Sequence, residues 1–324
     1  MKTITVNLGK KQKYNIDIEK SSIVGNSLPK GFVITDTNVF KKYGDLINTD
    51  KVFIIRAGEQ SKSGENYLEI ARHIPEDTEK IIAFGGGVVG DLAGFVASTY
   101  MRSIPFIQVP TTLLAMVDSS IGGKNGVNLD ERKNYLGTIY QPQAVLIDPL
   151  FLETLPNKEI NNGLAEIIKY AAVFNIPSLQ RLQKGIKHSD LENIIVQCCR
   201  IKARVVEKDE QDKGYRHTLN FGHTIGHSLE LLFGLKHGEA ISIGMAYEAK
   251  LGNRCHIVSI EKMNTILEII KANSLPTELP FGANTERIIE LMKADKKGKF
   301  IFAFDEKSYN VQVEESCIRE VLNS

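Results

Sequence analysis

At 324 residues the chain is longer than one hydrophobic core usually spans, so two domains are expected, and 42% hydrophobic with 24% charged residues excludes an intrinsically disordered chain. A formal net charge of +1 argues against a surface built to coat nucleic acid and leaves small anions as the expected charged partners. Four cysteines without paired spacing suggest neither a disulfide scaffold nor a zinc knuckle, and no stretch approaches the roughly 20 apolar residues of a membrane span, so a reduced, cytoplasmic protein is expected.

The chain opens with period-two alternation over 3–8 and 13–18, the pattern of a hairpin with one wet face. Short runs rich in β-branched and aromatic residues follow at 31–35, 51–55, 80–84, 105–109 and 144–148, with helical stretches between some of them, including 63–74 and 88–98. Strands alternating with helices imply an α/β fold with a parallel sheet wound by right-handed crossovers. After Pro149 the period changes. Amphipathic helical patterns run through 158–174, 189–210, 217–233, 238–252, 259–272 and 284–294, and only 299–304 and 309–313 look like strands. The change of period divides the chain into residues 1–150 and a mainly helical second domain, 151–324.

In the first half, Gly85-Gly86-Gly87-Val88-Val89-Gly90-Asp91 follows a strand and opens a helix, where unpaired N–H groups and the helix dipole hold a pyrophosphate well. The spacing differs from the GxGxxG fingerprint, so a simple tight turn is the competing reading. Asp36 and Glu59, each just past a strand, stand where carboxylates accept from ribose hydroxyls, although acidic loop residues are often only solvated. Between 110 and 137, Thr111, Thr112, Asp118, Ser119, Ser120 and Lys124 are set among small and apolar residues and are expected to face one another or a ligand, with a polar loop of ordinary salt bridges as the competing reading. Arg102, Lys133 and Asn134 add capacity for an anion. In the second half, Glu166 and Lys169 are helical neighbours, which alone marks no more than an exposed pair. His223, His227 and His237 fall within fifteen residues. Read naively, the i,i+4 pair His223 and His227 would be two metal ligands at an open His/carboxylate site.

The blocks GGGVVGDLAGFVASTYMR, QVPTTLLAMVDSSIGGKNGVN, KNYLGTIYQP, FLETLP, AEIIKYA, LNFGHTIGH and HGEAISIGM, in this order over roughly residues 30–250, resemble the successive signatures of 3-dehydroquinate synthases. The resemblance implies a Rossmann-like N-terminal domain binding NAD+, an α-helical C-terminal domain binding Zn2+ or Co2+, an active site in the cleft between them and usually a homodimer. It makes Glu166, His223 and His237 the metal ligands, which overrules the naive pair, and leaves His227 to transfer protons. It places NAD+ against Asp36, Glu59, Lys62, Gly86, Gly87, Asp91, Thr111, Thr112, Lys124, Lys133 and Thr154. Substrate is assigned to Arg102, Asp118, Lys124, Asn134, Lys169, Lys202, Arg216, Asn220 and Lys297, with Arg102 reaching the neighbouring subunit's phosphate site. Lys124, Lys169, Asp212 and His227 are the implied catalytic set. Asp212 departs from the family, which commonly has Glu there as a proton acceptor.

The implied reaction is a carbon–oxygen lyase step on a sugar-acid phosphate, 3-deoxy-D-arabino-heptulosonate 7-phosphate: transient oxidation, elimination of phosphate, re-reduction and intramolecular aldol closure. Rivals on the same fold are a glycerol-type metal-dependent dehydrogenase and cyclases of phosphosugars lacking a carboxylate. The set Lys124, Arg216 and Asn220 argues against the first, whose neutral polyol needs no such clamp, and Arg216-x-x-x-Asn220 argues against the second, whose substrates lack the carboxylate. A catalytically dead scaffold would tolerate loss of the metal triad, and all three residues are present.

Overall fold

A computed structural model describes residues 1–9, 12–130, 132–174, 182–295 and 299–324, which form two compact units, Met1–Ile160 with Glu192–Glu210, and Asn161–Leu191 with Gln211–Ser324. Among the described residues no helix is long and apolar enough to cross a membrane.

The first unit is built on a seven-stranded sheet. Its strands are β1 (Lys2–Asn7), β2 (Lys13–Ile18), β3 (Phe32–Asp36), β4 (Val52–Ile55), β5 (Ile81–Gly85), β6 (Phe106–Pro110) and β9 (Ala144–Ile147), in the order β1-β2-β9-β6-β5-β3-β4. Only the β1/β2 pair is antiparallel. The two kinds of strand were distinguishable from their patterns. β1 alternates exposed and covered positions, whereas β5 and β6 are buried throughout, as continuous apolar runs require when both faces of a parallel sheet are covered. Helices α1 (Thr37–Tyr43), α2 (Gly64–His73) and α3 (Gly87–Thr99) connect the parallel strands. Ile70 of α2 and Leu92 and Val96 of α3 pack with Phe32, Ile34 and Ile81 of the sheet in one core. The chain runs outward from β3 to β4 and then returns to the other side of β3 to make β5. This reversal opens a crevice at the carboxyl ends of β3 and β5, the position where such sheets take their ligands.

The polar stretch 110–137 has more structure than alternation revealed. Ala115–Ser119 is a single wide helical turn, followed by a hairpin of β7 (Lys124–Leu129) and β8 (Arg132–Ile139). Asp148, wholly buried, accepts from the backbone N–H groups of Ser21, Ile23, Val24 and Leu150 and ties two loops to the end of β9.

α4 (Asn157–Phe174) begins in the first unit and runs mostly in the second. α5 (Leu191–Lys208) belongs to the first unit, where Cys199 Sγ donates to the Met116 carbonyl at 3.3 Å and Glu207 accepts from the Asn7 N–H at 2.7 Å.

The second unit contains α6 (His223–Phe233), α7 (His237–Arg254), α8 (Ile260–Ala272), α9 (Thr285–Asp295) and α10 (Glu315–Leu322). Two-residue strands β10 (Ile301–Phe302) and β11 (Val311–Gln312) pair as the small terminal hairpin. α10 was not expected from the pattern. The helix expected over 217–233 is broken into a 3-10 turn, Tyr215–Asn220, and α6, because Gly222 between them takes φ 82°. A side chain at Gly222 would meet Met245 at 2.4 Å, and one at Gly244 would meet the Gly222 carbonyl oxygen at 1.9 Å. Glycines therefore let α6 and α7 pack backbone to backbone.

Candidate active site

In the second unit, three elements converge on one carboxylate. Glu166, wholly buried on α4, has Oε1 3.4 Å from His223 Nε2 and 3.2 Å from His237 Nε2. One ligand atom from each residue lies within 4.8 Å of the other two. Each imidazole is aimed from behind. His223 Nδ1 lies 3.1 Å from the Phe221 carbonyl, and His237 Nδ1 lies 3.2 Å from Glu230 Oε1. With Nδ1–H donating to these oxygens, the Nε2 atoms of both rings point at the carboxylate, the orientation that metal-bound histidines take from a carbonyl or carboxylate partner. Two imidazole nitrogens and one carboxylate oxygen are the three protein ligands that suit a catalytic zinc or cobalt site.

Helix termini hold this arrangement. Asn162 Oδ1 accepts from Gly238 N at 2.8 Å, docking the start of α7 on α4, and a side chain at Gly238 would strike Asn162 Cα at 2.6 Å. Glu248, wholly buried on α7, accepts from Gly222 N at 2.7 Å and Ile225 N at 3.1 Å at the start of α6. Reading the sequence missed both Glu230 and Glu248. Glu248 had one visible signal, a carboxylate inside the apolar run Gly244-Met-Ala-Tyr-Glu-Ala-Lys-Leu251.

Burial alone would push the Glu166 carboxyl up, but Lys169, His223 and His237 outweigh it and hold it well below its usual range. Lys169, also buried, forms an ion pair with Glu166 Oε2. Burial and the Lys169 ammonium push His223 well down, which keeps its imidazole neutral as a metal ligand requires. Burial opposes the charge on His237, but hydrogen bonds to Glu166 and Glu230 prevail and raise it to about 9. The His227 ring lies 5.3 Å from that of His223 and is not one of the three residues whose ligand atoms converge. Arg216 is buried and Asn220 half-buried in the turn before α6, and Asp212 precedes them. Lys297 lies outside the described residues.

In the first unit, the carboxyl ends of β3 and β5 bring Asp36 and the glycine turn to either side of the sheet's reversal point. Gly86 starts α3 with no side chain capping the helix, so the first-turn N–H groups are left for an anion. Thr112 flanks Gly86, where an added Cβ would sit 3.0 Å from Thr112 Cγ2, and Ser119 Oγ is 3.1 Å from a Cβ built on Gly87. Ser119 Oγ is buried without a hydrogen-bond partner among the described residues. A buried hydroxyl beside uncapped helical N–H groups is a cradle suited to a dinucleotide's pyrophosphate.

Asp36 Oδ1 caps α1 through Asn38 N and Val39 N, so part of its expected ligand role is taken by the helix. Glu59 Oε1 accepts from Asn128, and buried Lys62 forms an ion pair with Asp91. Burial would lower Lys62, but Asp91 and Glu59 outweigh it and raise the ammonium's pKa. Thr111 is buried beside Gly85, and Thr154 Oγ1 meets the Tyr43 hydroxyl at 2.5 Å. Asp118 Oδ1 pairs with Lys202 Nζ at 2.6 Å. Lys124, Lys133 and Asn134 lie on the hairpin of β7 and β8, with Asn134 at φ 52°. Arg102 is exposed with φ 70°.

A family model described as 3-dehydroquinate synthase N-terminal matches residues 52–162, and one described as 3-dehydroquinate synthase C-terminal matches 163–298. The chain is 42% identical to the 3-dehydroquinate synthase of Desulforamulus reducens, with 93% of each chain covered. It is 38% identical to that of Crocosphaera subtropica, covering 98% of this chain and 96% of the relative. A solved 2-deoxy-scyllo-inosose synthase, complexed with carbaglucose-6-phosphate, NAD+ and Co2+, superposes with a TM-score of 0.85 at 23% identity over 99% of both chains. The 2-epi-5-epi-valiolone synthase of Streptomyces hygroscopicus, with NAD+ and Zn2+ bound, superposes at 0.81 with 26% identity over 98% of both.

Proposed function

The chain belongs to the 3-dehydroquinate synthase family, and from that premise we propose that it converts 3-deoxy-D-arabino-heptulosonate 7-phosphate into 3-dehydroquinate and phosphate with NAD+ and Zn2+ or Co2+. The observation that carries the reading is the convergence of Glu166, His223 and His237 on one point with both imidazoles oriented from behind. Residues 1–150 are assigned to NAD+ and residues 151–324 to the metal and much of the substrate.

When bound, NAD+ supplies a hydride acceptor at C5 that gives the hydride back, and the metal supplies a Lewis acid for the substrate hydroxyls. The chain's own residues do the rest. Uncapped N–H groups at Gly86 and Gly87, with Thr111, Thr112 and Ser119 beside them, hold the dinucleotide's phosphates; Asp36, Glu59, Lys62, Asp91, Lys124, Lys133 and Thr154 line the remainder of its path. Arg216 and Asn220 hold the substrate carboxylate, the group that competing phosphosugars lack. Lys124, Lys169, Lys202 and Lys297 neutralise the substrate's anionic groups, Asn134 adds an amide to hydrogen-bond it, and the Asp118–Lys202 pair presets one of these ammonium groups. As phosphate leaves, the C6 proton needs an acceptor, and His227 and Asp212 are assigned to proton transfer alongside the departing phosphate.

The working protein is assigned as a cytoplasmic homodimer. Tyr135, Leu136 and Ile139 on β8 and Met101 beside Arg102 are exposed apolar residues of one unit, which supports a covered surface there and Arg102 acting across it. The deciding experiment is phosphate release from the seven-carbon substrate by purified protein with catalytic NAD+ and zinc. Phosphate in large excess over NAD+, without lasting NADH, is expected; NADH accumulating on a polyol, with no phosphate, would replace the reading with a dehydrogenase.

A further inference from the structure

Asp212 is held by a residue that the family reading leaves without a task. It sits with φ 54°, a left-handed conformation that Asp tolerates better than most side chains. His217, five residues on in the 3-10 turn Tyr215–Asn220, directs Nε2 at the Asp212 carbonyl oxygen at 3.2 Å and lies 3.9 Å from the Asp212 carboxylate. Its other nitrogen, Nδ1, lies 2.8 Å from the side-chain amide of Asn310. A half-exposed histidine that served only as surface would not have both ring nitrogens engaged. Asn310 Oδ1 and the Asp212 carbonyl oxygen are both acceptors, so the ring meets both as the imidazolium, or as the neutral Nε2–H tautomer with the Asn310 amide turned to present its NH2 to Nδ1.

The far end of this strut is rigid. Asn310 immediately precedes β11, and the loop between β10 and β11 is closed by Phe304 N donating to the Ser308 carbonyl at 2.7 Å. Asp305 Oδ1 accepts from Lys307 N and Ser308 N within that loop. The hairpin is in turn fastened to α6 by Thr224 Oγ1, which donates to the Ile301 carbonyl at 3.2 Å. Beside His217, Tyr215 stacks edge-on against Tyr309 with ring centres 5.7 Å apart. Asp212 is therefore referenced, through His217 and the terminal hairpin, to the helix that begins with His223.

We propose that His217 is a positioning residue that fixes Asp212, through its carbonyl and against the Asn310 anchor, in the conformation proton transfer requires. The proposal rests on the assignment of Asp212 to proton transfer. A left-handed aspartate has nearby alternatives in the right-handed and extended regions, and losing one backbone acceptor contact would let it populate them.

The test is a double-mutant cycle on the NAD+- and zinc-loaded enzyme, with phosphate release, zinc content and melting temperature measured for each variant. H217A is expected to lower kcat about tenfold while changing the substrate KM by less than about twofold, the pattern of a misplaced catalytic group. H217Q, whose amide still reaches the Asp212 carbonyl, is expected to recover most of that loss. D212A/H217A is expected to be no slower than D212A, because His217 acts only through Asp212. A double variant slower than D212A by the full H217A factor overturns the proposal, as does an H217A loss that comes with lost zinc and no recovery in H217Q. D212A at the wild-type rate removes Asp212 from the reaction and His217 with it, whereas D212A slowed beside an unaffected H217A overturns the positioning role alone.

Discussion

The Glu248 carboxylate accepts from the Gly222 N–H at 2.7 Å, so a charge buried on α7 terminates a helix that Gly222 itself has no side chain to cap. The same carboxylate takes the Ile225 N–H, and together these bonds place His223 on the first turn of α6. E248A would leave two buried N–H groups unpaired, at a cost of about 1–3 kcal/mol each. A lower melting temperature and faster zinc loss on dialysis are expected, with E248Q milder because it keeps one acceptor oxygen. Zinc retained at wild-type level in a folded E248A would separate this cap from the metal site.

Glu230 should matter to metal affinity without touching the metal. Its Oε1 meets His237 Nδ1 at 3.2 Å and turns Nε2 toward Glu166. Partners of this kind typically contribute 10–100-fold to affinity, so E230Q is expected to weaken zinc binding about tenfold. H237A should abolish zinc retention, and a full zinc equivalent in that variant would remove His237 from the ligand set.

These two carboxylates mark the limit of what the sequence exposed. The strands of the seven-stranded sheet and most helices were readable because burial imposes a pattern, period two for β1 and 3.6 for α4 and α7, and the glycine turn was readable because a strand ended where a helix began. Glu166 could be placed on a helix but not assigned from spacing, since its partners are 57 and 71 residues away and only tertiary packing joins them. His223 and His227 were misleading neighbours for the same reason: i,i+4 spacing puts two side chains on one face, but only tertiary packing decides that His223 and not His227 meets Glu166. The break at Gly222 was hidden because the apolar pattern continues through it. The hairpin of β7 and β8 escaped because β8 is exposed at nearly every position and shows no buried alternation.

Gly86 offers a test of the nucleotide cradle that leaves the metal cluster untouched. A side chain there would approach Thr112 Cγ2 to 3.0 Å and crowd the N–H groups that start α3. G86V is expected to weaken NAD+ binding at least tenfold, about 1.4 kcal/mol, by blocking close approach of a phosphate. Zinc content should not change. Unaltered NAD+ affinity in a calorimetric titration would move the pyrophosphate elsewhere.

The end of the chain should respond to acid in a defined direction. Arg319 on α10 pairs with Glu286 on α9 and with Glu315 at 2.5 Å, while Lys293 meets Glu315 at 2.7 Å. Hydrogen bonds from Arg319 lower the Glu286 pKa, and those from Lys293 and Arg319 lower that of Glu315, both below the ordinary 4.5. A carboxylate depressed in the folded state stabilises fully above its unfolded value and loses that contribution as pH falls through the folded one. Wild-type melting temperature should therefore fall below pH 4.5 more steeply than that of R319A, and high salt should narrow the gap because the groups are exposed. Parallel curves at low salt would show that the cluster contributes nothing.

Arg216 separates the carboxylate clamp from every other part of the reading. It is buried in the turn Tyr215–Asn220, four residues before Asn220, so its guanidinium is held by the fold instead of sampling solvent. A planar fork can meet a carboxylate through two parallel bonds, which a lysine cannot reproduce. Charge-assisted bonds of this kind contribute about 1.5–3 kcal/mol, so R216A should weaken substrate binding roughly ten- to a hundredfold, with R216K recovering only part. NAD+ affinity should stay close to wild type, because the glycine cradle belongs to the other unit. Equal losses in the substrate and NAD+ titrations would show a general disturbance and sink the assignment. A selective loss for the sugar acid, absent for a phosphosugar without a carboxylate, would identify Arg216 as the residue that selects this substrate among those the fold accepts.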